Sequence, residues 1–427
     1  MDKITFKNIN VYDGTLDMKL LKGVNVEVTD ETISNIGNFE IDPKSKVIDG
    51  TDKYMVPGLI NLHAHLPSSG KLSKKKLGDK SKLVKFVTGN PVGRMIGNML
   101  VKKYALMALN SGVTTVRAVG GVGALDSMLR DKINAGKLVG PRLLVCNTAI
   151  GVKGGHMDGT VARAIDSVDE IKVRINELEE QKVDLVKLMI TGGVLDGKVP
   201  GHPGALKMEP KIVKACADEA HKNGLKVLAH VEGDEGMKVA IENGVDSIEH
   251  SAEFDDKLAK QLKERNGAVV ITLTPAMPFI KIDPEIVGYG EIAKINSEII
   301  VEGMKKSFAQ AKKFGILAGL GNDAGSTLVP HYGFANELIV ATKELNITNA
   351  EALHIGTEVN AKIAGVDNLV GTIEVGKEAD FIVLEKDPIE DLHNLKYPTK
   401  VVIRGHLINN PKQKLIEDID RLLDKIY

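Results

Sequence analysis

Residues 225–250 read LKVLAHVEGDEGMKVAIENGVDSIEH, in which a mixed polar and apolar stretch separates two short apolar runs. Apolar runs of this length suit strands that are buried on both faces. Six similar runs occur elsewhere: LINL at 59–62, GVTTVRAV at 112–119, RLLVCNTA at 142–149, VDLVKLMI at 183–190, AVVITLTP at 268–275 and GILAGLG at 315–321. Amphipathic stretches such as 167–182 and 211–223 lie between the runs and predict helices. The eight candidate strands favour an α/β fold, a closed (β/α)8 TIM-like barrel, over an open doubly wound sheet.

The two ends of the chain have a different pattern of polar and apolar residues. Polar and apolar residues alternate within residues 1–56, as in a half-buried sheet. After the helical pattern at 349–364, strands return as DFIVLEKDP and TKVVIRGHLI, and a charged, helical tail follows at 414–427. We therefore expect a small composite β-sandwich domain from residues 1–56 plus 365–427, and a barrel from residues 57–364.

Composition excludes several classes of protein. The 427 residues are 43% hydrophobic and 26% charged, as in ordinary globular proteins. Lys and Arg number 56 against 57 Asp and Glu, so no cationic field would hold a nucleic acid. Cys146 and Cys216 are the only cysteines, which fits a reducing compartment. Since neither a signal-peptide pattern nor a membrane-span pattern is found, we expect a cytoplasmic protein without a membrane or nucleic-acid partner.

One charge anomaly follows the first apolar run. The segment Lys71–Lys85 has lysines at 71, 74, 75, 76, 80, 82 and 85. Such a segment is usually a solvated loop. Its position also allows a second interpretation, in which it draws anionic substrates toward the mouth of the barrel.

Five side chains at predicted strand ends indicate a metal site. His63 and His65 are two residues apart on a strand and therefore point to one face. His230, His250 and Asp323 each end or follow a later run. The carboxyl ends of the strands converge on one face of a barrel, where active sites are built. Four imidazoles and a carboxylate gathered there predict metal binding.

Lys187 is an amine within the apolar run VDLVKLMI, where a buried charge is costly without a partner. It could reach solvent at the strand end, or pair with Asp184. A third interpretation is a carbamate, formed with carbon dioxide, that serves as an anionic ligand between two cations.

The chain resembles the binuclear branch of the amidohydrolase superfamily. The motifs are VPGLINLHAH, VKLMITGG, AHVEG, SIEHS and GNDAG, with GTIEVGKEADFIVLEKDP near the end. The resemblance implies that His63, His65 and Asp323 hold one divalent metal ion, His230 and His250 hold another, and carboxylated Lys187 bridges them. It also implies zinc, a metal-bridging hydroxide as nucleophile, and proton transfer by Asp323 during hydrolysis of an amide bond.

Within the superfamily, the motifs TGGV, GGH and HYG resemble the imidazolonepropionase-related and prolidase-like group, which includes ochratoxinase-like amidases. By this resemblance His156 stabilises the oxyanion or binds a substrate carboxylate, and His331 contacts substrate. Prolidase-like members often have a tyrosine after the fifth-strand histidine, whereas Val231 and Glu232 stand here. Glu232 therefore either binds a basic leaving residue or caps the next helix. In the second-strand motif, Arg117 is followed by alanine instead of aspartate.

These features together predict a metal-dependent hydrolase of carbon–nitrogen bonds. Its expected substrate is a small-molecule amide, either a dipeptide or an N-acyl amino acid, and a homo-oligomer is expected. A cyclic amide hydrolase similar to imidazolonepropionase or dihydroorotase is the alternative, and a non-catalytic assembly homologue is another. A deaminase is disfavoured, because those members generally use one metal ion without a bridging lysine.

Overall fold

A computed structural model describes residues 3–72, 80–197 and 199–427. The lysine cluster Lys74, Lys75 and Lys76 lies outside these residues, so the two interpretations of the basic segment stay predictions. No helix of the described residues is both long and apolar enough to cross a membrane.

The strands, in chain order, are β1 Lys3–Tyr12, β2 Leu20–Thr29, β3 Thr32–Gly37, β4 Lys46–Asp49, β5 Tyr54–Pro57, β6 Leu59–Ala64, β7 Val113–Ala118, β8 Arg142–Val145, β9 Ala149–Gly151, β10 Ala162–Ala164, β11 Leu185–Met189, β12 Lys226–Val231, β13 Ser247–His250, β14 Ala268–Ile271, β15 Leu317–Leu320, β16 Phe381–Leu384, β17 Lys400–Ile403 and β18 His406–Asn409. All eight apolar runs of the sequence contain a strand, namely β6–β8 and β11–β15. The short strands β9 and β10 were not predicted.

The α-helices are α1 Lys80–Gly89, α2 Pro91–Asn110, α3 Leu125–Asn134, α4 Val168–Glu180, α5 Pro210–Lys222, α6 Asp234–Glu242, α7 Asp256–Glu264, α8 Met277–Lys281, α9 Pro284–Val287, α10 Glu291–Phe314, α11 Phe334–Glu344, α12 Asn349–His354, α13 Asn360–Ala364 and α14 Glu417–Leu423. A π-helical turn, Ile355–Val359, joins α12 to α13, and a 3-10 turn lies at Leu392–Lys396. The helical patterns predicted at 167–182, 211–223 and 349–364 correspond to α4, α5 and the α12–α13 segment.

Both ends of the chain enter one eight-stranded sheet, in the order β18-β17-β16-β5-β1-β2-β3 with β4 also on β1. Strand β5 joins the two halves, because Met55 is opposite Val11 in a parallel pair and Val383 in an antiparallel pair. Phe6 and Phe381 meet edge to face at 5.2 Å in the core of this sheet. Strand β5 thus places the strands of both ends of the chain in one hydrogen-bonded sheet, and the composite sandwich of residues 1–56 plus 365–427 stays a prediction.

The remaining strands form two parallel sheets, β6-β7-β8 and β10-β9-β11-β12-β13-β14-β15. Strands β6, β11 and β14 are buried at every residue, as their continuous apolar runs predict. Strand pairing among the described residues does not close the strands into one cylinder: β6 and the segment after β15 are joined by the bridge between Ala64 and Ala324 and by hydrogen bonds between Asn61 and Asn322. The Asn360 side chain supports this junction, donating to the carbonyl oxygens of Ile60 at 2.6 Å and Leu320 at 2.8 Å.

Candidate metal centre

A cavity of about 480 Å³ lies where the carboxyl ends of β6 and β11–β15 meet. Its titratable lining residues are Lys71, His63, His65, His156, Lys187, Asp196, His230, Glu232, His250, Tyr289 and Asp323. Apolar side chains, among them Leu195, Phe279 and Met304, line its outer part. The structure therefore brings together in one cavity the side chains that the sequence places at separate strand ends.

One group of possible metal ligands consists of His63, His65 and Asp323, whose ligating atoms lie within 4.8 Å of one another. Asp323 Oδ1 is 3.1 Å from His65 Nε2 and 3.7 Å from His63 Nε2. Asp323 Oδ2 accepts a hydrogen bond from Ser326. Burial opposes ionisation of Asp323, but the hydrogen bond and charge of His65 outweigh it and lower the pKa of the carboxyl. Asp323 is therefore ionised at neutral pH, the form that can bind a metal ion.

A second group consists of His230, Glu232 and His250, also within 4.8 Å of one another. The ring centres of His230 and His250 are 4.6 Å apart, and His63 approaches His250 at 4.7 Å, so the two groups are neighbours. Burial lowers the pKa of His63 and His230 well below the usual value and that of His250 to about 3. These imidazoles are neutral, which is the form that binds a metal ion.

The backbone is strained at two of these residues. His250 has φ 66° and Asp323 has φ 52°, the left-handed region that side-chain-bearing residues avoid. Such a conformation costs on the order of 1–3 kcal/mol and concentrates at functional sites. Both residues line the cavity, His250 as the last residue of β13 and Asp323 in the segment after β15.

Lys187 is 1% exposed, and no hydrogen-bond partner for its Nζ is found among the described residues. Two of the predicted explanations fail: the amine does not reach solvent, and Asp184 instead pairs with Arg130 at 2.8 Å. Burial lowers the pKa of Lys187 to about 8, which increases the fraction of neutral, nucleophilic amine. The unpartnered buried amine fits the carbamate interpretation.

A buried ion pair supports His63 from behind. Glu249 Oε2 accepts from His63 Nδ1 at 2.8 Å, and Glu249 Oε1 accepts from Arg117 at 2.8 Å. Arg117 Nε also donates to the Leu62 carbonyl. A proton on Nδ1 leaves Nε2 of His63 free toward the cavity. Sequence reasoning missed Glu249, although an acidic residue within the apolar run VDSIEH is the signal that could have found it.

His156 lies parallel to His230, with ring centres 4.1 Å apart and an interplanar angle of 9°. Its Nδ1 is 2.5 Å from Asp196 Oδ2, which also accepts from the Gly193 amide. Asp196 thus orients His156 and leaves its other nitrogen toward the cavity. No local sequence pattern indicates a role for Asp196, because it lies in the loop after β11.

Two other predicted substrate contacts have different positions. Glu232 lines the cavity and does not cap α6, whose N-cap is Gly233 without a side-chain hydrogen bond. His331 is not among the described residues that line the cavity. Its Nε2 donates to the Ser68 carbonyl at 2.8 Å, and its ring stacks on Tyr104 at 4.9 Å. The structure therefore places His331 in the wall behind the cavity.

The residues present fit a metal centre by their chemistry. Neutral imidazoles and carboxylates are ligands that zinc and other transition metals share. Two buried polar atoms, an oxygen of the Glu232 carboxylate and the Lys187 nitrogen, have no hydrogen-bond partner among the described residues. Bound cations, with Lys187 in its anionic carbamate form, would provide both side chains with a partner.

Comparison with known proteins agrees with this chemistry. The Amidohydrolase family matches residues 54–408. The solved structure of a candidate prolidase from Bifidobacterium longum has a TM-score of 0.87 at 32% identity, covering 100% of this chain and 99% of that one. A Xaa-Pro dipeptidase with bound methionine in the active site has a TM-score of 0.81 at 26% identity, covering 96% of this chain and 100% of that one.

A sequence relative gives the same assignment. Ochratoxinase of Aspergillus niger is 25% identical over 438 residues, or 94% of this chain and 86% of the relative. The fold of these relatives implies a TIM barrel with a β domain. Because the family match spans most of the sequence, the chain belongs to the amidohydrolase family, in the group that contains the prolidase-like proteins and ochratoxinase.

Proposed function

We propose that the protein is a binuclear metal-dependent amidohydrolase that cleaves the amide bond of a dipeptide or an N-acyl amino acid. The observation that carries the proposal is the pair of neighbouring ligand groups with the buried, unpartnered Lys187 amine in the same cavity. The proposal includes a closed barrel from residues 57–364, in which the Ala64–Ala324 bridge and the Asn360 side chain join the two parallel sheets.

Two divalent ions, zinc in our proposal, would be held by His63, His65 and Asp323 and by His230 and His250. Lys187 would be a ligand of both ions after its neutral amine adds to carbon dioxide, forming a nitrogen–carbon bond and releasing one proton. When bound, such ions lower the pKa of water and polarise a substrate carbonyl.

The protein's own residues supply proton transfer and orientation. Asp323 would hold the proton of the attacking water at a carboxylate oxygen and pass it to the leaving nitrogen. His156, whose Nδ1 donates to Asp196, would contact the substrate oxygen on which charge develops through Nε2, which is a donor when both ring nitrogens carry a proton. The strained backbone at Asp323 fixes the carboxylate in place before substrate binds.

The dimensions and walls of the cavity favour a small amide over a polypeptide. A volume of about 480 Å³ is within the usual range for small-molecule sites. The apolar lining by Leu195, Phe279 and Met304 suits an uncharged substrate side chain or acyl group. The relatives named as prolidase, Xaa-Pro dipeptidase and ochratoxinase support the same class.

Two measurements test the proposal. Protein purified without chelator should contain about two metal ions per chain and should hydrolyse members of a panel of dipeptides and N-acyl amino acids. Less than one ion per chain would contradict the proposal. Activity confined to cyclic amides would show that the substrate is a cyclic amide and not a dipeptide or an N-acyl amino acid. Lys187→Ala should lower the metal content and be partly rescued by short carboxylates. The exposed Lys222→Ala is the control, and full metal retention in Lys187→Ala would exclude the carbamate role.

A further inference from the structure

We propose that Glu232 is itself a metal ligand, which supplies a carboxylate oxygen to the cation held by His230 and His250. The inference rests on the proposed function, because it assumes that this site binds a metal ion. It assigns to Glu232 a role other than substrate binding or helix capping.

The backbone directs the Glu232 side chain to the same face as His230. The two residues are separated by one position at the end of β12, so alternation along the strand puts both side chains in the cavity. The Glu232 amide donates to Thr191 Oγ1 at 3.0 Å. Gly204, at φ +69°, packs so closely that a Cβ there would lie 2.3 Å from the Glu232 carbonyl. These contacts fix the position of residue 232 beside the ligands.

The carboxylate is incompletely paired: among the described residues, the Val194 backbone amide donates to it. Its Oε2 is buried without a hydrogen bond, and its Oε1 is 3.9 Å from His230 Nε2. A cation at the second ligand group would give the carboxylate a partner, because Oε1 or Oε2 could then donate an electron pair to it.

A nearby carboxylate provides the contrast. Asp196 lines the same cavity, but it is engaged by His156 and by the Gly193 amide and is not part of either ligand group. The ligating atoms of Glu232, in contrast, lie within 4.8 Å of those of His230 and His250. The geometry therefore favours an ion over a substrate group.

The experiment compares metal binding by the wild type, Glu232→Gln, Glu232→Ala and the control Asp196→Asn. Each full-length protein is equilibrated with Zn²⁺ at buffered free concentrations, and bound zinc per chain is measured by mass spectrometry. We expect Glu232→Gln to bind the second ion at least about 100-fold more weakly, since loss of outer-sphere partners alone costs about 10–100-fold. Asp196→Asn should bind both ions as the wild type does.

Two further readouts keep the result interpretable. Added acetate should restore the second ion to Glu232→Ala, which distinguishes a lost ligand from a misfolded protein. The Co²⁺-loaded form of Glu232→Gln should have an altered absorption spectrum. Two ions at wild-type affinity in Glu232→Gln would overturn the inference, and a raised KM confined to substrates with a cationic leaving group would then assign Glu232 to substrate. Failure of the wild type to bind metal would overturn the proposed function as well.

Discussion

Replacing Glu249 by glutamine should separate the two contributions of the buried pair behind His63, protein stability and metal affinity. The Glu249 side chain is 0% exposed and that of Arg117 is 3% exposed, with 2.8 Å between their charged atoms. Removing one member leaves the other charge buried and unpaired, which costs about 3–5 kcal/mol. Glu249→Gln and Arg117→Met should therefore each lower the free energy of unfolding by about that amount.

The double variant should recover most of the stability, because it leaves neither charge behind, and replacing both members of a buried pair is often close to neutral. Metal affinity should respond differently. The Glu249 carboxylate accepts from His63 Nδ1, and losing such an outer-sphere partner lowers metal affinity about 10–100-fold. The double variant should therefore be stable but still bind metal weakly.

Stability is to be measured by urea denaturation with chelator in every sample, so that bound metal does not contribute. Far-UV circular dichroism suits the chain, which contains no tryptophan. Metal affinity is measured separately by competition with a chromophoric chelator. Additive losses of stability in the double variant would refute the ion-pair reasoning, and recovery of both stability and metal affinity would refute the support of His63 by Glu249.

Two other residues give separate predictions. Asp196→Asn should lower kcat/KM by roughly 10- to 100-fold while both metal ions stay bound, because it removes a charge-assisted hydrogen bond to His156; loss of metal would contradict this. Burial raises the pKa of Glu337 from 4.5 to about 7. The folded protein then holds one more proton than the unfolded chain in this range, so stability falls as pH rises. In the wild type, this carboxyl should lower the free energy of unfolding by about 3 kcal/mol as pH rises through this range, and Glu337→Gln should not show that loss. The same dependence of the unfolding free energy on pH in both proteins would refute the prediction.

The positions of the strands and of most cavity side chains follow from local sequence patterns. His63, His65, His230 and His250 each end an apolar run, and strand ends converge whenever parallel strands form a sheet. Partners from distant segments do not follow from such patterns. Nothing near Glu249 indicates that it would meet Arg117, which is 132 residues away.

The local pattern also left alternatives that only packing decides. Glu232 precedes a helix and so resembles a capping residue, yet the helix begins with Gly233 as its cap. His331 follows a strand and a loop, but its ring is held against Tyr104 and away from the cavity. The junction of the two parallel sheets at Ala64 and Ala324 is likewise a contact between distant segments, which no local residue pattern predicts.

The junction at Asn360 has a consequence for the order in which the protein matures. One ligand group draws on residues 63 and 65 near the start of the chain and on Asp323, and the strands that carry them are tied together by an amide still further along. During synthesis, Asn360 has to leave the ribosome before it can tie these strands together. All residues of the group at His230, Glu232 and His250 have left the ribosome by an earlier stage. On a nascent chain, the first ion to be captured should be the one at the later-numbered histidines.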